Sequence, residues 1–242
     1  MSQGSGEWPR ELRRRLQESR CTVVFTGAGI SAESGIPTFR GKDGLWKTYR
    51  AADLATAEAF ARDAKLVWEW YDFRRSLLAT KSPNAAHLQI AAWQQQFPAV
   101  HVVTQNVDGL HRRAGSRRLY CLHGDIWMVR CPQCGRSERN LETPLRPLPP
   151  RCACGGVQRP GVVWFGESLP HDVWNAAERL CTDAELMFAV GTSALVFPAA
   201  GLPLLAKSSG CFLVEVNIEP TALTQHADVF LQGTACEIFA RR

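Results

Sequence analysis

Cys21-Thr-Val-Val-Phe-Thr26, running into Gly27-Ala-Gly-Ile-Ser-Ala32, is the stretch whose reading decides the fold. Its first six residues carry no charge and are rich in β-branched side chains, the pattern of a strand buried on both faces. The G-x-G-x-x-A turn that ends it lets backbone approach closely. Between a strand and a helix, such a turn brings amide N–H groups to a pyrophosphate. Working outward, similar apolar runs recur at Val100–Thr104, Leu186–Val190 and Phe212–Val216, and in weaker form at Leu119–Leu122. Helix-length spacers separate them, which predicts an α/β fold built on a doubly wound parallel sheet. Ligands of such sheets sit beyond the carboxyl ends of the strands. The residues delivered there are Gly27-Ala28-Gly29, Gln105-Asn106-Val107-Asp108, His123-Gly124, Gly191-Thr192-Ser193 and Asn217. Five strand ends supplying small or polar residues to one rim predict a site at that rim. A dehydrogenase would also close a second strand with an acidic residue about 20 positions on. Here that region reads SGIPTFRGKDGLW (residues 34–46), which is not a strand, so hydride transfer is disfavoured.

The 242 residues suffice for one large domain, or a domain carrying a smaller insertion. With 45% hydrophobic and 21% charged residues the composition is that of a globular protein. A net charge of +5 allows anionic ligands but is far from that of a nucleic-acid-coating chain. Nine cysteines suit a disulfide scaffold only in a much shorter secreted chain. The opening MSQGSGEWPRELRRRLQESR has no apolar core, and Glu7, Glu11 and Glu18 argue against a mitochondrial presequence. A cytoplasmic location is expected, with a mitochondrial one left open. Pro9 at a helix start, with Leu12 and Leu16 four apart, predicts a surface helix. Leu186 to Ala206 is free of charge, yet Gly191, Pro198, Gly201 and Pro203 break it into a strand, a turn and a short helical piece. No membrane span is expected.

Two stretches do not fit the sheet. Residues 41–81 are helical and rich in Trp and Ala; residues 131–156 are rich in Cys, Pro and Gly. The expected organisation is a Rossmann-like domain from 10–40, 82–128 and 158–242, with 41–81 and 129–157 forming a smaller helical and zinc-binding module. Cys131-Pro-Gln-Cys134 and Cys152-Ala-Cys154, each near a glycine, carry four thiolates suited to a closed tetrahedral zinc site. The second pair is tighter than the usual Cys-x-x-Cys. Cys21, Cys121, Cys181, Cys211 and Cys236 lie in or beside strands and read as inert core residues.

GAGISAESGIPTFRG (Gly27–Gly41), Thr104-Gln-Asn-Val-Asp-Gly-Leu-His111, Leu122-His123-Gly124 and Gly161-Val-Val-Trp-Phe-Gly-Glu167 resemble the sirtuins in order and spacing. Gly191-Thr192-Ser193, Asn217-Ile218-Glu219 and the cysteine quartet agree, so the resemblance spans roughly residues 20–237. It implies NAD-dependent removal of acyl groups from protein lysines, giving nicotinamide and O-acyl-ADP-ribose, with NAD consumed as co-substrate. The acyl oxygen attacks the nicotinamide ribose as the glycosidic bond breaks. By this resemblance His123 is the general base on a ribose hydroxyl, a role that an imidazole pKa suits. A satisfied structural histidine is the alternative. Asn106, the second catalytic residue, and Asp108 would position the ribose and the carboxamide, and Gln105 the ribose hydroxyls. Arg40 would meet a phosphate while Phe39 covers the reacting sugar. Ser193, Asn217 and the Ala235 backbone would hold the adenosine half. The implied cofactor-binding set also includes Gly27, Ala28, Gly29, Ile30, Glu33, Ser34, Pro37 and Trp46, together with Val107, Gly191, Thr192 and Glu219. Zinc on the four cysteines would be structural.

The resemblance also places acyl-lysine peptides, as an added strand, along Val163, Phe165, Gly166 and Glu167, with Phe165 lining a tunnel for the lysine stem. In LVWEWYDFRRSLL, Tyr71 and Arg74 share a helix face with Val67 and Leu78. Packing explains such a pair. Yet Tyr71-Asp-Phe-Arg74 is similar to the Tyr-x-x-Arg of class III sirtuins, which read acyl chains ending in a carboxylate, and Ala55 matches the small residue that widens their pocket. The expectation is a deacylase preferring succinyl and malonyl groups and also removing acetyl. A plain deacetylase, a mono-ADP-ribosyltransferase and a zinc-ribbon nucleic-acid binder using Arg112, Arg113, Arg117 and Arg118 are the alternatives; no specific nucleic-acid partner is expected.

Overall fold

The computed structural model describes residues 7–38, 51–97 and 99–241. Helix α1 (Arg10–Glu18) starts after Pro9 and buries Leu12 and Leu16, as the spacing predicts. Strand β1 (Thr22–Thr26) is buried along its whole length. The glycine turn after it opens a 3-10 turn, Ala28–Ser34, instead of an α-helix; Gly35, with φ of 75°, ends it. The helices α2 (Ala51–Leu54), α3 (Ala57–Arg62), α4 (Ala64–Ala79) and α5 (Ala85–Gln96) follow, then β2 (Val100–Thr104), α6 (Leu110–Arg113) and β3 (Leu119–Cys121). Strands β4 (Gly124–Arg130), β5 (Ser137–Arg139) and β6 (Arg159–Val162) precede α7 (His171–Asp183), β7 (Leu186–Val190), α8 (Leu202–Ser208) and β8 (Phe212–Asn217). Strand β9 (Val229–Gln232) and α9 (Ala235–Ala240) complete the order.

Six strands form one sheet in the order β3-β2-β1-β7-β8-β9, every neighbouring pair parallel. Alternate residues of β1 feed opposite faces: Val24 joins Leu12, Ile90, Trp93 and Phe239, whereas Val23 and Phe25 join Ala177, Cys181, Leu202 and Ala206. Helices α1, α5 and α9 thus cover one face and α7 and α8 the other, which is why the strands read as unbroken apolar runs. The strand order turns back on itself between β1 and β7, the position where a doubly wound sheet opens a crevice.

A second sheet, β5-β4-β6, is antiparallel and packs against α3 and α4 through Trp68, Tyr71, Ile126, Val129, Val162 and Trp164. It was not among the expected strands, and neither was β9. The boundary expected between residues 128 and 129 falls inside β4. The segment expected to receive the substrate follows β6, which ends at Val162, and Phe165-Gly166 within it forms a turn. Gly166 has a φ of 84°, a backbone that a regular strand does not hold. Leu186–Ala206 is a strand, a turn and a short helical piece as read, and no described helix is long and apolar enough to cross a membrane. Cys181 and Cys211 are buried in the large core, and burial pushes both thiols up to about 12, in keeping with inert residues.

Candidate active site

The carboxyl ends of the parallel strands are stitched to one another. Asn106, after β2, donates its side-chain amide to the Gly27 carbonyl after β1 (2.9 Å). Gln105 reaches the other half of the sheet through Thr192 Oγ1 (3.0 Å), and Asn217 Nδ2 donates to the Thr192 carbonyl (2.9 Å). The turns themselves touch: Gly29 N–H donates to Gly191 O (2.8 Å). A Cβ on Gly29 would lie 2.7 Å from the Gly191 Cα, and one on Gly27 2.9 Å from the Thr192 Cα. These glycines therefore permit backbone contact between β1 and β7 ends. The Gly27 amide is likewise taken, by Val190 O (3.0 Å), so neither glycine N–H is left for a phosphate.

His123 lies between the two sheets, one residue before β4, and its carbonyl accepts from Val163 N (2.9 Å). Its Nδ1 is 2.9 Å from the Gln105 carbonyl, which can only accept, so Nδ1 carries the proton and Nε2 holds a lone pair. Burial lowers the His123 pKa, against the opposing pull of the Gln105 carbonyl. The ring is a neutral base at pH 7.

Beneath Asn106 lies a buried polar network. Ser31 Oγ donates to Asp108 Oδ2 (2.8 Å), the Leu110 amide donates to Oδ1 (2.8 Å), and Trp127 Nε1 donates to the Asp108 carbonyl (2.8 Å). Burial raises the Asp108 pKa, and those two carboxylate bonds oppose it. Thr26 Oγ1 joins Thr104 Oγ1 (2.8 Å) and His111 Nε2 (3.0 Å), and Thr104 Oγ1 accepts the Asn106 amide (3.1 Å). His87 and His111 meet edge to face at 4.8 Å. Burial drives the His87 pKa down to about 4 and the His111 pKa well below its usual value. The unfolded chain takes up a proton at His87 below about pH 6.5, while the native chain does so only near 4. Stability is therefore full above that window and falls as pH drops through it, by about 3 kcal/mol for His87. Urea midpoints measured from pH 7 to 4.5 should fall, and less steeply for His87→Gln.

The four candidate metal ligands converge. The sulfurs of Cys131, Cys134, Cys152 and Cys154 all lie within 4.8 Å of one another, with Cys131–Cys154 and Cys134–Cys152 at 3.6 Å. Zinc–sulfur bonds of about 2.3 Å in a tetrahedron require sulfurs about 3.8 Å apart, so the quartet fits that ion. Each pair sits on a turn closed by a glycine amide, Gly135 N to Cys131 O (2.9 Å) and Gly155 N to Cys152 O (2.8 Å). The tighter second pair closes as well as the first. The Cys134 amide, donating to the Cys131 sulfur, leads the interactions that lower the Cys131 thiol to about 7, favouring a thiolate.

The segment that supplies most of this rim, His123 and the four cysteines matches a family model. The description is the Sir2 family, and the match covers residues 27–198. The chain belongs to the Sir2 family. An NAD-dependent protein deacylase of Aquifex aeolicus (strain VF5) is 53% identical to this Sir2 chain over 214 residues, covering 88% of the chain and 90% of the relative. An NAD-dependent protein deacylase 2 of Pyrobaculum aerophilum is 52% identical, covering 93% and 91%. A Sir2 homologue in complex with NAD superposes with a TM-score of 0.90 at 46% identity, covering 99% and 93%. A Sir2 structure holding deacetylated p53 peptide and 3′-O-acetyl-ADP-ribose gives 0.84 at 35%, covering 96% of each chain.

Several sequence-predicted residues of this Sir2 protein occupy the stitched rim: Gly27, Ala28, Gln105, Asn106, Asp108, His123, Gly191, Thr192 and Asn217. Glu33 accepts the Cys236 amide (3.1 Å) in the first turn of α9, beside Ala235. Ser34 Oγ is buried without a partner among the described residues. Glu219 is exposed. Glu167, expected to touch substrate, pairs with Arg159 (2.5 and 2.9 Å) and accepts the Trp164 amide (2.8 Å). Phe39, Arg40 and Trp46 lie outside the described residues. Tyr71 is 1% exposed, Arg74 is half-buried with its guanidinium 5.5 Å from the Tyr71 ring, and the Ala55 carbonyl accepts the Phe165 amide (2.9 Å). Sequence reasoning missed Ser31, His87 and His111; the Asn84-x-x-His87 spacing of a helix cap was the available signal. It also missed the exposed apolar loop Leu195-Val196-Phe197 beyond Ser193.

Proposed function

We propose that this protein is an NAD-dependent protein-lysine deacylase that removes succinyl and malonyl groups in preference to acetyl, a class III sirtuin. The observation that carries the acyl preference is the setting of Arg74. Its guanidinium packs on the rings of Trp70 and Tyr71 (4.9 and 5.5 Å), and the Tyr71 hydroxyl is bonded to Trp164, within the segment expected to receive the peptide. A cation and a phenol beside the reacting end of an acyl-lysine suit a terminal carboxylate.

In this reading the large domain (10–40, 82–128, 158–242) holds NAD, the small module (41–81, 129–157) carries zinc, and the peptide lies between them along Val163, Phe165, Gly166 and Glu167. Bound NAD supplies an electrophilic ribose carbon and a nicotinamide leaving group. The residues of this chain do the rest. His123 Nε2 takes a proton from a ribose hydroxyl, with its tautomer set by Gln105 O. Asn106 and Asp108, braced by Gly27 O, Ser31 and Leu110, orient the ribose and carboxamide. Gln105, Thr192, Ser193, Asn217 and Ala235 hold the remaining sugar and the adenosine half.

One observation favours a plain deacetylase: Tyr71 is buried, and its hydroxyl already accepts a hydrogen bond from Trp164. NAD-dependent turnover of one peptide carrying either succinyl- or acetyl-lysine separates the two. In wild type the kcat/KM ratio should favour succinyl, and Arg74→Met should erase roughly 10- to 150-fold of it, the worth of a charge-assisted bond. Equal or better removal of acetyl by wild type would make Tyr71 and Arg74 helix packing. Label entering protein from NAD labelled in its ADP-ribose would instead report ADP-ribosyl transfer.

A further inference from the structure

The hydroxyl bond of Tyr71 has a direction. Trp164 Nε1 lies 3.0 Å from Tyr71 Oη, and both side chains are buried. An indole N–H can only donate, so the phenol oxygen is the acceptor. Its own proton is thereby turned away from Trp164, and among the described residues it is donated to none. Accepting one hydrogen bond polarises the O–H and makes it the better donor.

Trp164 is held so that this direction does not wander. Its backbone N–H donates to Glu167 Oε2 (2.8 Å), and the Arg159 guanidinium that pairs with Glu167 stacks 3.4 Å from the indole centroid. Phe60 packs on the same indole at 5.3 Å. Trp70 meets the Tyr71 ring edge to face at 4.6 Å, which fixes the phenol plane. Glu167 and Arg159 thus hold the orientation of Trp164.

We propose that Trp164 is a specificity-positioning residue, whose indole N–H aims the Tyr71 hydroxyl so that its proton is offered to the terminal carboxylate of an acyl chain beside Arg74. The proposal rests on the reading of Tyr71 and Arg74 as a carboxylate-recognising pair. It accounts for a buried tyrosine with an occupied oxygen still serving a ligand, since the lone pair is used and the proton is not.

The test replaces Trp164 by 3-benzothienylalanine, in which sulfur stands for N–H and the ring shape is kept, alongside Trp164→Phe. Steady-state kinetics at saturating NAD would use matched succinyl- and acetyl-lysine peptides. The expected result is a KM for the succinyl peptide raised about 3- to 10-fold, the cost of one neutral hydrogen bond, with kcat and the acetyl KM within about 2-fold of wild type. In a Tyr71→Phe background the benzothienyl replacement should change the succinyl KM no further, because the two groups act as one unit. An unaltered succinyl KM, or equal rises for both peptides, would overturn the proposal. Those outcomes differ from failure of the acyl reading itself, in which the wild-type enzyme shows no succinyl preference and the proposal falls with it. If Trp164→Phe fails to fold, the benzothienyl protein decides.

Discussion

His123→Ala should lower kcat/KM for deacylation by about 10²- to 10⁴-fold, the range general bases contribute, with zinc content and Tm close to wild type. The geometry makes the effect specific to one atom. Nδ1 is bound to the Gln105 carbonyl, so only Nε2 is available to take a proton. His123 is half-buried, and removing its ring leaves Gln105 O as the one polar group that loses a described side-chain partner. The pH profile should carry the same signature. The ring pKa is lowered, chiefly by burial, so the basic form persists below the usual histidine range and kcat/KM falls only as pH drops through that depressed value. In His123→Ala that acid limb should vanish from the residual rate. Retention of near wild-type turnover by the variant would remove His123 from the chemistry.

The second large effect concerns the metal. Cys131→Ser should reduce bound zinc from one equivalent to near none and abolish deacylation, since structural zinc contributes about 10–16 kcal/mol to small domains that depend on it. Cys131 is buried, and its N–H and C=O already close the knuckle with Arg136 and Gly135. These backbone bonds survive the substitution, so the loss is that of the ligand alone. The antiparallel sheet that begins at Gly124, one residue from His123, includes the knuckle's flanking strands β4 and β5. Zinc stoichiometry by atomic absorption, with tryptophan fluorescence for the module, checks it. Full activity at zero zinc would show that the quartet is dispensable.

How much of this could be read from sequence differed by element. Strands buried on both faces announce themselves, because every position must be apolar; β1 and β7 are of that kind. Strand β9 is partly exposed at the sheet's edge and only four residues long, so it lacked the pattern. The small sheet was hidden for another reason. Strand β4 starts directly after His123 with no helical spacer, and the expectation of alternating strand and helix passed over it. Within the site, the side chains that the rim brings together were legible as strand-end residues. Their bracing was not, because Ser31, His87 and His111 come from three separate elements and look like ordinary buried polar residues until the fold stacks them. The ion pair of Glu167 was not legible either, because Arg159 lies on the preceding strand and reaches both carboxylate oxygens only once the chain turns back at Phe165-Gly166.

Trp8 donates its indole N–H to the Ile238 carbonyl (2.7 Å) and packs against Trp93, Phe188 and Phe239. Strand β1, made early in synthesis, is central and waits for β2 on one side and β7 on the other. On the ribosome, at about 5–20 residues per second, Trp8 and β1 can meet Trp93 and β2 well before β7, Ile238 and Phe239 emerge. Such an arrangement makes closure of the aromatic cluster a late, long-range step of folding, because Trp8 and Phe239 meet only after the intervening strands have paired.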